Sequence, residues 1–514
     1  MHQPLPTERR KRNNEIVQWA NFLHIYQPAD QQEDILEAVA AQSYRPLLNG
    51  IRDCNKARVT LNVTGALIEQ FDRHGYRDLI DILRDLGKEG RVEFTSSAKY
   101  HAFLPFLSID ETIRQVTAND ETNRFYLGEE AYRPKGFFPP EMAYHEGLEK
   151  ILEELGFQWI ILDEIALGGK AGHVDYTKQY KIKGSPLNVV FRERRASNLI
   201  MSAMVRNTAS LEKALKQDKR QEGRYVVTAM DGETFGHHRP GLEHLLFELF
   251  DSTKFDLVTI SELLVTQRKT EEATLVRSTW ASSEQDIERG VQFLSWVDPE
   301  NIIHTWQKQL VDLALEEVYA TKKESPAFPE LREKLDAALA SDHFWWASGK
   351  PWWSLEMIEA GAHRLLKLTR AVPGIEKEKL RKAQDLYEKI VSTAFEWQRS
   401  GEVRKRAREQ QETVRIPFKD RTIGRGGAEE GVYHAFMNMM SKLEKKAVKN
   451  REYEQAILWR DAMYKLEHKT DIYDTINAID LLRAEVPNKE VEKTIERYKE
   501  QYRKMRGGQP EQRD

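Results

Sequence analysis

The stretch Ile16-Val17-Gln18-Trp19-Ala20-Asn21-Phe22-Leu23-His24-Ile25-Tyr26-Gln27-Pro28 sets an apolar, β-prone run directly before an imidazole and an amide. Residues 16–22 read as a buried strand, which leaves His24 and Gln27 in reach of anything bound above a sheet. The same pattern returns twice. Residues 136–138 form an apolar run that is followed by Glu141, and residues 225–228 form one that is followed by Asp231. Further strand candidates are 59–62, 92–95, 159–162, 189–191 and 257–260, and stretches between them, such as 76–87 and 148–155, carry apolar residues at helical spacing. Strands alternating with amphipathic helices predict a parallel α/β sheet or barrel. In a parallel barrel, residues that follow strands gather at the carboxyl end, where sites are built, and an open sheet would gather some of them too.

Outward from this core the pattern changes. After about residue 280, helices dominate at 301–319, 329–339, 355–369 and 377–399. Residues 401–430 combine the basic run 404–408 with Gly424, Gly426 and Gly427, which is linker chemistry. Beyond it, Val432, Phe436, Met439, Leu443 and Ala447 share one helix face, as do Ala456, Trp459, Met463 and Leu466. The expected organisation is a polar segment 1–15, an α/β domain 16–275, a helical domain 276–400, a linker 401–430, a helical hairpin extension 431–506 and a disordered tail 507–514.

Composition excludes several classes. With 514 residues the chain is long enough for more than one domain. Lys+Arg 78 against Asp+Glu 82 leaves a net charge of -4, so no global field draws in phosphate backbones and no nucleic-acid partner is expected. Cys54 is the single cysteine, which excludes intrachain disulfides and Cys-rich zinc sites. The residues from Met1 to Asn14 are polar and basic without an apolar signal-peptide core, and no later run is long enough to span a bilayer. A cytoplasmic protein with no membrane contact is the expectation.

Two segments carry candidate chemistry. Gly136-Phe137-Phe138-Pro139-Pro140-Glu141 places a carboxylate after a strand and two stiffening prolines. Met230-Asp231-Gly232-Glu233-Thr234-Phe235-Gly236-His237-His238 alternates two carboxylates and ends on two imidazoles. Acid/base work or metal binding would each suit the second. Glu141 could instead serve a helix dipole, and His24 could be a satisfied structural histidine.

Taken in order, these segments resemble glycoside hydrolase family 57. His24-Ile25-Tyr26-Gln27-Pro28 matches its first motif, and Gly90-Arg91-Val92-Glu93 with Thr95 to His101 matches the second. The third falls on Glu141, the fourth on Asp231-Gly232-Glu233-Thr234-Phe235-Gly236, and the fifth on Asp342-His343-Phe344-Trp345. The resemblance covers roughly residues 16–400. It implies a distorted (β/α)7 barrel followed by a helical domain that caps the cleft, with a C-terminal helical extension outside it. It further implies a retaining enzyme of the α-amylase or 4-α-glucanotransferase type acting on an α-glucan or malto-oligosaccharide. Glu141 would be the nucleophile and Asp231 the acid/base, with no metal or other cofactor. Substrate would be bound by His24, Gln27, Glu93, His101, Glu233, His237, Asp342, Trp345 and Trp346. A retaining site needs its two carboxyls about 5–5.5 Å apart. Trp346-Ala347 stands where many members have His-Gly, which bears on product specificity, and branching enzymes belong to the same family.

Residues 443–461 resemble the UVR helical hairpin, which implies a protein partner or self-association through the C-terminal helices; a plain helical extension is the other reading. Two rival functions remain at this level. One is a non-catalytic amylase-like glucan-binding protein, against which both carboxylates are present. The other is a metal-dependent sugar deacetylase using Asp231, His237 and His238, for which the usual His-x-x-x-His is missing.

Overall fold

The structure, a computed structural model, describes residues 17–203, 205–217, 223–266, 268–350, 352–411, 431–468, 478–479, 481–482 and 485–505. The chain divides into two compact units. One comprises Met1–Asn198, Thr208–Glu233 and Leu246–Gln410; the other comprises Leu199–Asn207, Thr234–Leu245 and Gln411–Asp514. Among the described residues no helix is long and apolar enough to cross a membrane.

In the first unit the strands are β1 (Val17–Ile25), β2 (Val59–Val63), β3 (Val92–Thr95), β4 (Gly136–Phe137), β5 (Trp159–Asp163), β6 (Gln179–Ile182), β7 (Asn188–Arg192), β8 (Tyr225–Asp231), β9 (Phe255–Val258) and β10 (Thr270–Ala273). β2 and β5 are buried at every residue, as strands covered on both faces must be. The order β3-β2-β1-β8 is parallel throughout, and so is the β4-β5-β7 arc. Two narrow seams join these arcs into a ring. At one, Ser96 donates to Gly136 O at 3.0 Å and accepts from Phe138 N at 2.9 Å. At the other, Glu193 N donates to Val227 O at 2.8 Å and Arg192 Nε to Ala229 O at 2.8 Å. β1, β2, β3, β4, β5, β7 and β8 thus make a distorted (β/α)7 barrel, the expected fold. β9 pairs with the first half of β1, outside the ring, while β6 runs antiparallel to β7 and parallel to β10.

All the expected strands are present, with ends shifted by at most three residues. β6 and β10 were not expected: Thr270-Glu271-Glu272-Ala273 has no apolar alternation and only Ala273 is buried. β4 is short because Pro139 and Pro140 follow it without amide donors. Gly136 is required there. A Cβ at this position would lie 2.2 Å from the ring of Trp159, its register partner in β5.

The helical part of the first unit is Ile302–Ala320, Phe328–Ala338, Leu355–Ala371 and Lys377–Ser400, with the short helix Asp342–Trp345 between them. Asn301 caps the first of these by accepting from Ile303 N and His304 N. Glu402–Gln411 is also helical, inside the stretch expected to be linker. Its Arg406 stacks on Trp397 at 4.3 Å and donates to Glu300 O at 2.9 Å. The rest of the expected linker, the polar amino terminus and the tail lie outside the described residues.

In the second unit, Val432–Asn450 and Tyr453–His468 form a helical hairpin joined by third helix Asn488–Met505. Phe436, Met440, Trp459, Leu466 and Val491 are its core. This unit also takes in two segments of the barrel region, Leu199–Asn207 and Thr234–Leu245, so it does not coincide with the stretch after residue 430.

A buried charge cluster fastens the helical part to the barrel. Arg332 donates to both oxygens of Glu111 at 2.7 and 2.6 Å and to Asp336 at 2.7 Å, and Arg114 grips Asp336 from the other side. Arg332, Glu111 and Asp336 are all nearly inaccessible, whereas the Arg114 side chain is 43% exposed. Removing one partner of a buried pair strands the other charges. Arg332→Ala should therefore cost about 3–5 kcal/mol in denaturant unfolding, while Arg114→Ala should cost about 1 kcal/mol or less. Equal losses in the two variants would contradict this division.

Candidate active site

The ends of β1, β3 and β8 and the turn after β4 bring the site together. His24 is the register partner of Asp231 across β1 and β8, and of Asn62 across β1 and β2. His24 Nδ1 lies 2.8 Å from Asn62 Oδ1, while the Asn62 amide donates to Thr95 Oγ1 at 3.1 Å. His24 therefore donates from Nδ1, and its Nε2 is left as an acceptor. Burial lowers its pKa to about 4, so the ring is neutral. His101 stacks on it at 5.0 Å and on Tyr26 at 4.5 Å. Its Nδ1 is 3.1 Å from Ser341 Oγ and 3.8 Å from Glu141 Oε1, and its buried Nε2 has no hydrogen-bond partner among the described residues.

Glu141 is held in an uncommon backbone conformation. It has φ 62°, Met142 has φ 50° and His101 has φ 55°, all in the left-handed region that costs side-chain-bearing residues energy. Trp280 grips Glu141 at two points: its backbone N donates to Glu141 O at 3.2 Å and its indole Nε1 to Oε2 at 2.8 Å. Burial and then the charge of Asp231 push Glu141 up to about 8, with the indole donor opposing. Burial pushes Asp231 up to about 6, opposed by the cation of Arg192.

Glu233 is 5% exposed and occupied by protein. It accepts from the Tyr44 hydroxyl, from Tyr26 N at 3.3 Å and from Gln27 Nε2 at 3.4 Å. Burial and Asp231 raise it to about 8. Tyr44 ends a widened π-type turn, Ala40–Tyr44, in the run of helix between β1 and β2, a feature frequent at functional sites. Gly232 fits between the two carboxylates' residues only without a side chain, since a Cβ would meet Ile25 Cγ2 at 2.5 Å.

The sequence-predicted residues fall into distinct places. Glu141, Asp231, His24, His101 and Glu233 come together. Gln27 joins them as a support, because its amide faces Glu233 and Tyr44 and its Oε1 accepts from Gln31 at 2.7 Å. Glu93 does not join them. It is level with Thr60 and Phe22, two residues below the layer of His24, Asn62 and Thr95, and its carboxylate accepts from Ser261 N at 3.0 Å, Ser261 Oγ and Thr60 Oγ1. His237 belongs to the second unit, where its ring lies 5.4 Å from that of His238. Asp342 accepts from the Tyr26 hydroxyl at 2.7 Å and is raised to about 6, chiefly by burial. Trp345 stacks on Trp352 at 4.5 Å, with Trp346 edge-on at 4.8 Å. Tyr26, Tyr44, Asn62 and Trp280 were missed. Each is an ordinary aromatic or amide in sequence, and only the tertiary contact marks it.

The raised carboxyls have a stability consequence. A carboxyl whose native pKa lies above its unfolded value penalises the native state once pH exceeds the unfolded value, and the penalty is complete above the native one. Glu141→Gln removes that penalty. Its thermal midpoint should exceed that of the parent above pH of about 8 and match it below about 4.5. A variant less stable than the parent at the alkaline end would show that Glu141 is not held against its own ionisation.

The family model for glycosyl hydrolase family 57 matches residues 1–276. An alpha-amylase from Pyrococcus horikoshii is 26% identical over 234 residues, 44% of this chain and 36% of that protein. A 4-alpha-glucanotransferase from Thermococcus litoralis is 25% identical over 255 residues, 47% of this chain and 38% of that protein. The chain thus spans well under half the length of these relatives. In fold it is similar to the crystal structure of a family 57 branching enzyme from Thermococcus kodakaraensis, with a TM-score of 0.55, 19% identity, and coverage of 76% of this chain and 94% of that one. With more than half of its residues matched by the family model, this chain belongs to glycosyl hydrolase family 57.

Proposed function

We propose that this chain is a retaining glycoside hydrolase or transglycosylase acting on α-glucans, of the α-amylase or 4-α-glucanotransferase type on α-1,4 linkages. Glu141 is the nucleophile and Asp231 the acid/base. The observation that carries this reading is the clamp on Glu141: a carboxylate in a left-handed turn, fixed by two bonds from Trp280 and electrostatically coupled to Asp231.

In the first step Asp231 protonates the glycosidic oxygen while Glu141 attacks the anomeric carbon, which releases the leaving chain and forms a glycosyl ester. In the second, Asp231 takes a proton from the incoming hydroxyl as its oxygen attacks the anomeric carbon, which breaks the ester and releases Glu141 as the carboxylate. Water as acceptor gives hydrolysis, and a sugar hydroxyl gives transfer. The two carboxyls titrate as a coupled pair, one rising to about 8 and the other to about 6, so between these values the pair holds about one proton. In the empty site the order favours that proton on Glu141. A bound glycosidic oxygen accepting from Asp231, and developing positive charge beside Glu141, both move it to Asp231. His24 Nε2 is suited to accept from a sugar hydroxyl, and Asp342, Trp345 and Trp346 are proposed as further sugar contacts by hydrogen bonding and stacking.

Azide distinguishes the two roles. Glu141→Ala cannot form the glycosyl ester and should lose several orders of magnitude in rate. With an α-glycosyl fluoride, azide entering the vacated space should yield the β-glycosyl azide. Asp231→Ala still forms the ester from this substrate but lacks its base, and azide should then yield the α-glycosyl azide. Exchanged anomers would reverse the roles, and full activity in either variant would remove that residue from the mechanism.

A further inference from the structure

Beside the two carboxylates lies a buried charge cluster that touches the backbone supporting each of them. We propose that Asp163 is a positioning residue for both: through Arg192 it fixes the strand end that carries Asp231, and through Arg194 it fixes the loop whose Trp280 clamps Glu141. The proposal rests on the reading of Glu141 and Asp231 given above.

Asp163 is the last residue of β5, 1% exposed, and Arg192, its register partner, is the last residue of β7. Arg192 Nη1 donates to Asp163 Oδ2 at 2.6 Å. The same guanidinium donates from Nε to Ala229 O at 2.8 Å, two residues before Asp231, and from Nη2 to Asn198 Oδ1 at 2.8 Å. The planar fork is thus aligned by three acceptors on three segments, a geometry that lysine cannot reproduce. On the other oxygen, Arg194 Nε donates to Asp163 Oδ1 at 2.9 Å. Its remaining nitrogens reach Ser282 O at 2.9 Å and Trp280 O at 3.2 Å. Trp280 in turn holds both the backbone and the carboxylate of Glu141. One carboxylate therefore anchors two chains of contacts, one ending beside each catalytic group. Through Arg192 it also fastens the β7–β8 seam.

The charges matter as well as the bonds. Asp231 is faced by Arg192 from β7, by Glu141 from the turn after β4, by Glu233 beyond its own strand, and by Tyr44. Asp163 is faced by Arg192 and Arg194, with Glu164 and Glu193 beside it. Glu164 receives the Tyr176 hydroxyl at 3.4 Å, and Glu193 accepts from Ala196 N at 2.7 Å. Asp163 moderates the field that Arg192 exerts on Asp231. Neutralising Asp163 should strengthen that field and favour ionised Asp231.

The test is the carboxyl-13C NMR titration of Asp231 and Glu141 in protein labelled at aspartate and glutamate, with signals assigned by Asp231→Asn and Glu141→Gln. Asp163→Asn keeps size and an acceptor but loses charge. It should lower the Asp231 midpoint by about one pH unit and, on malto-oligosaccharides, reduce kcat on the order of a hundredfold with KM little changed. Arg194→Met, at a more accessible site, should leave the Asp231 midpoint in place and raise that of Glu141, whose ionised form loses a well-placed indole donor. It carries the test alone if Asp163→Asn does not fold. Folded variants with both titrations unmoved would overturn the proposal. Shifted titrations in a protein whose parent acts on no α-glucan would overturn the functional reading and leave the positioning role standing.

Discussion

The site is organised around the backbone of Glu141, the proposed nucleophile, which is held against rotation. Its left-handed conformation, shared with Met142, costs on the order of 1 kcal/mol or more per residue and persists only where the surroundings over-determine it. Two prolines come before, Trp280 binds from the side, and Phe138 packs between Trp280 and His24 at ring separations of 6.0 and 4.7 Å. The barrel provides the frame for this arrangement. Ser96 joins β3 to β4 at the strand that leads into the turn, and its hydroxyl is itself bonded to Asp120 at 2.5 Å.

The helical part completes the frame rather than standing apart from it. Ser341 N donates to His101 O at 3.2 Å, its hydroxyl meets the His101 ring, and the next residue, Asp342, receives the Tyr26 hydroxyl. Deeper in, His304 accepts from Asp298 N at Nδ1 and donates from Nε2 to Phe344 O at 2.8 Å, which fixes its tautomer. Gln307 donates to His343 O at 2.8 Å. The short helix Asp342–Trp345 is thereby pinned from behind while its front side chains meet the barrel.

Much of this is legible in the sequence. Apolar, β-branched runs such as Trp159-Ile160-Ile161-Leu162 announce buried strands, and Glu141 and Asp231 stand out because each comes at or after a strand's carboxyl end. Glu93 was misread by the same logic: it is the second residue of β3, so its side chain sits a layer below the site. β10 was hidden because Thr-Glu-Glu-Ala, buried only at its last residue, carries no apolar alternation. Trp280 was hidden for a different reason. It lies 139 residues from Glu141, and nothing local distinguishes an indole that meets a carboxylate from one that packs a core. The contacts of Gln27 with Glu233 and Tyr44 were not foreseen, since an amide's partner is settled only by which groups it meets.

The proposed mechanism makes Glu141 the residue that carries the covalent intermediate. That claim is read most directly by trapping the intermediate with a 5-fluoro-α-glycosyl fluoride, whose fluorine slows release of the ester more than its formation, and locating the label by peptide mass spectrometry. One glycosyl group per chain is expected, on Glu141, absent in Glu141→Gln. A label on Asp231 or Glu233, or turnover that consumes the reagent without ever labelling the chain, would contradict the mechanism.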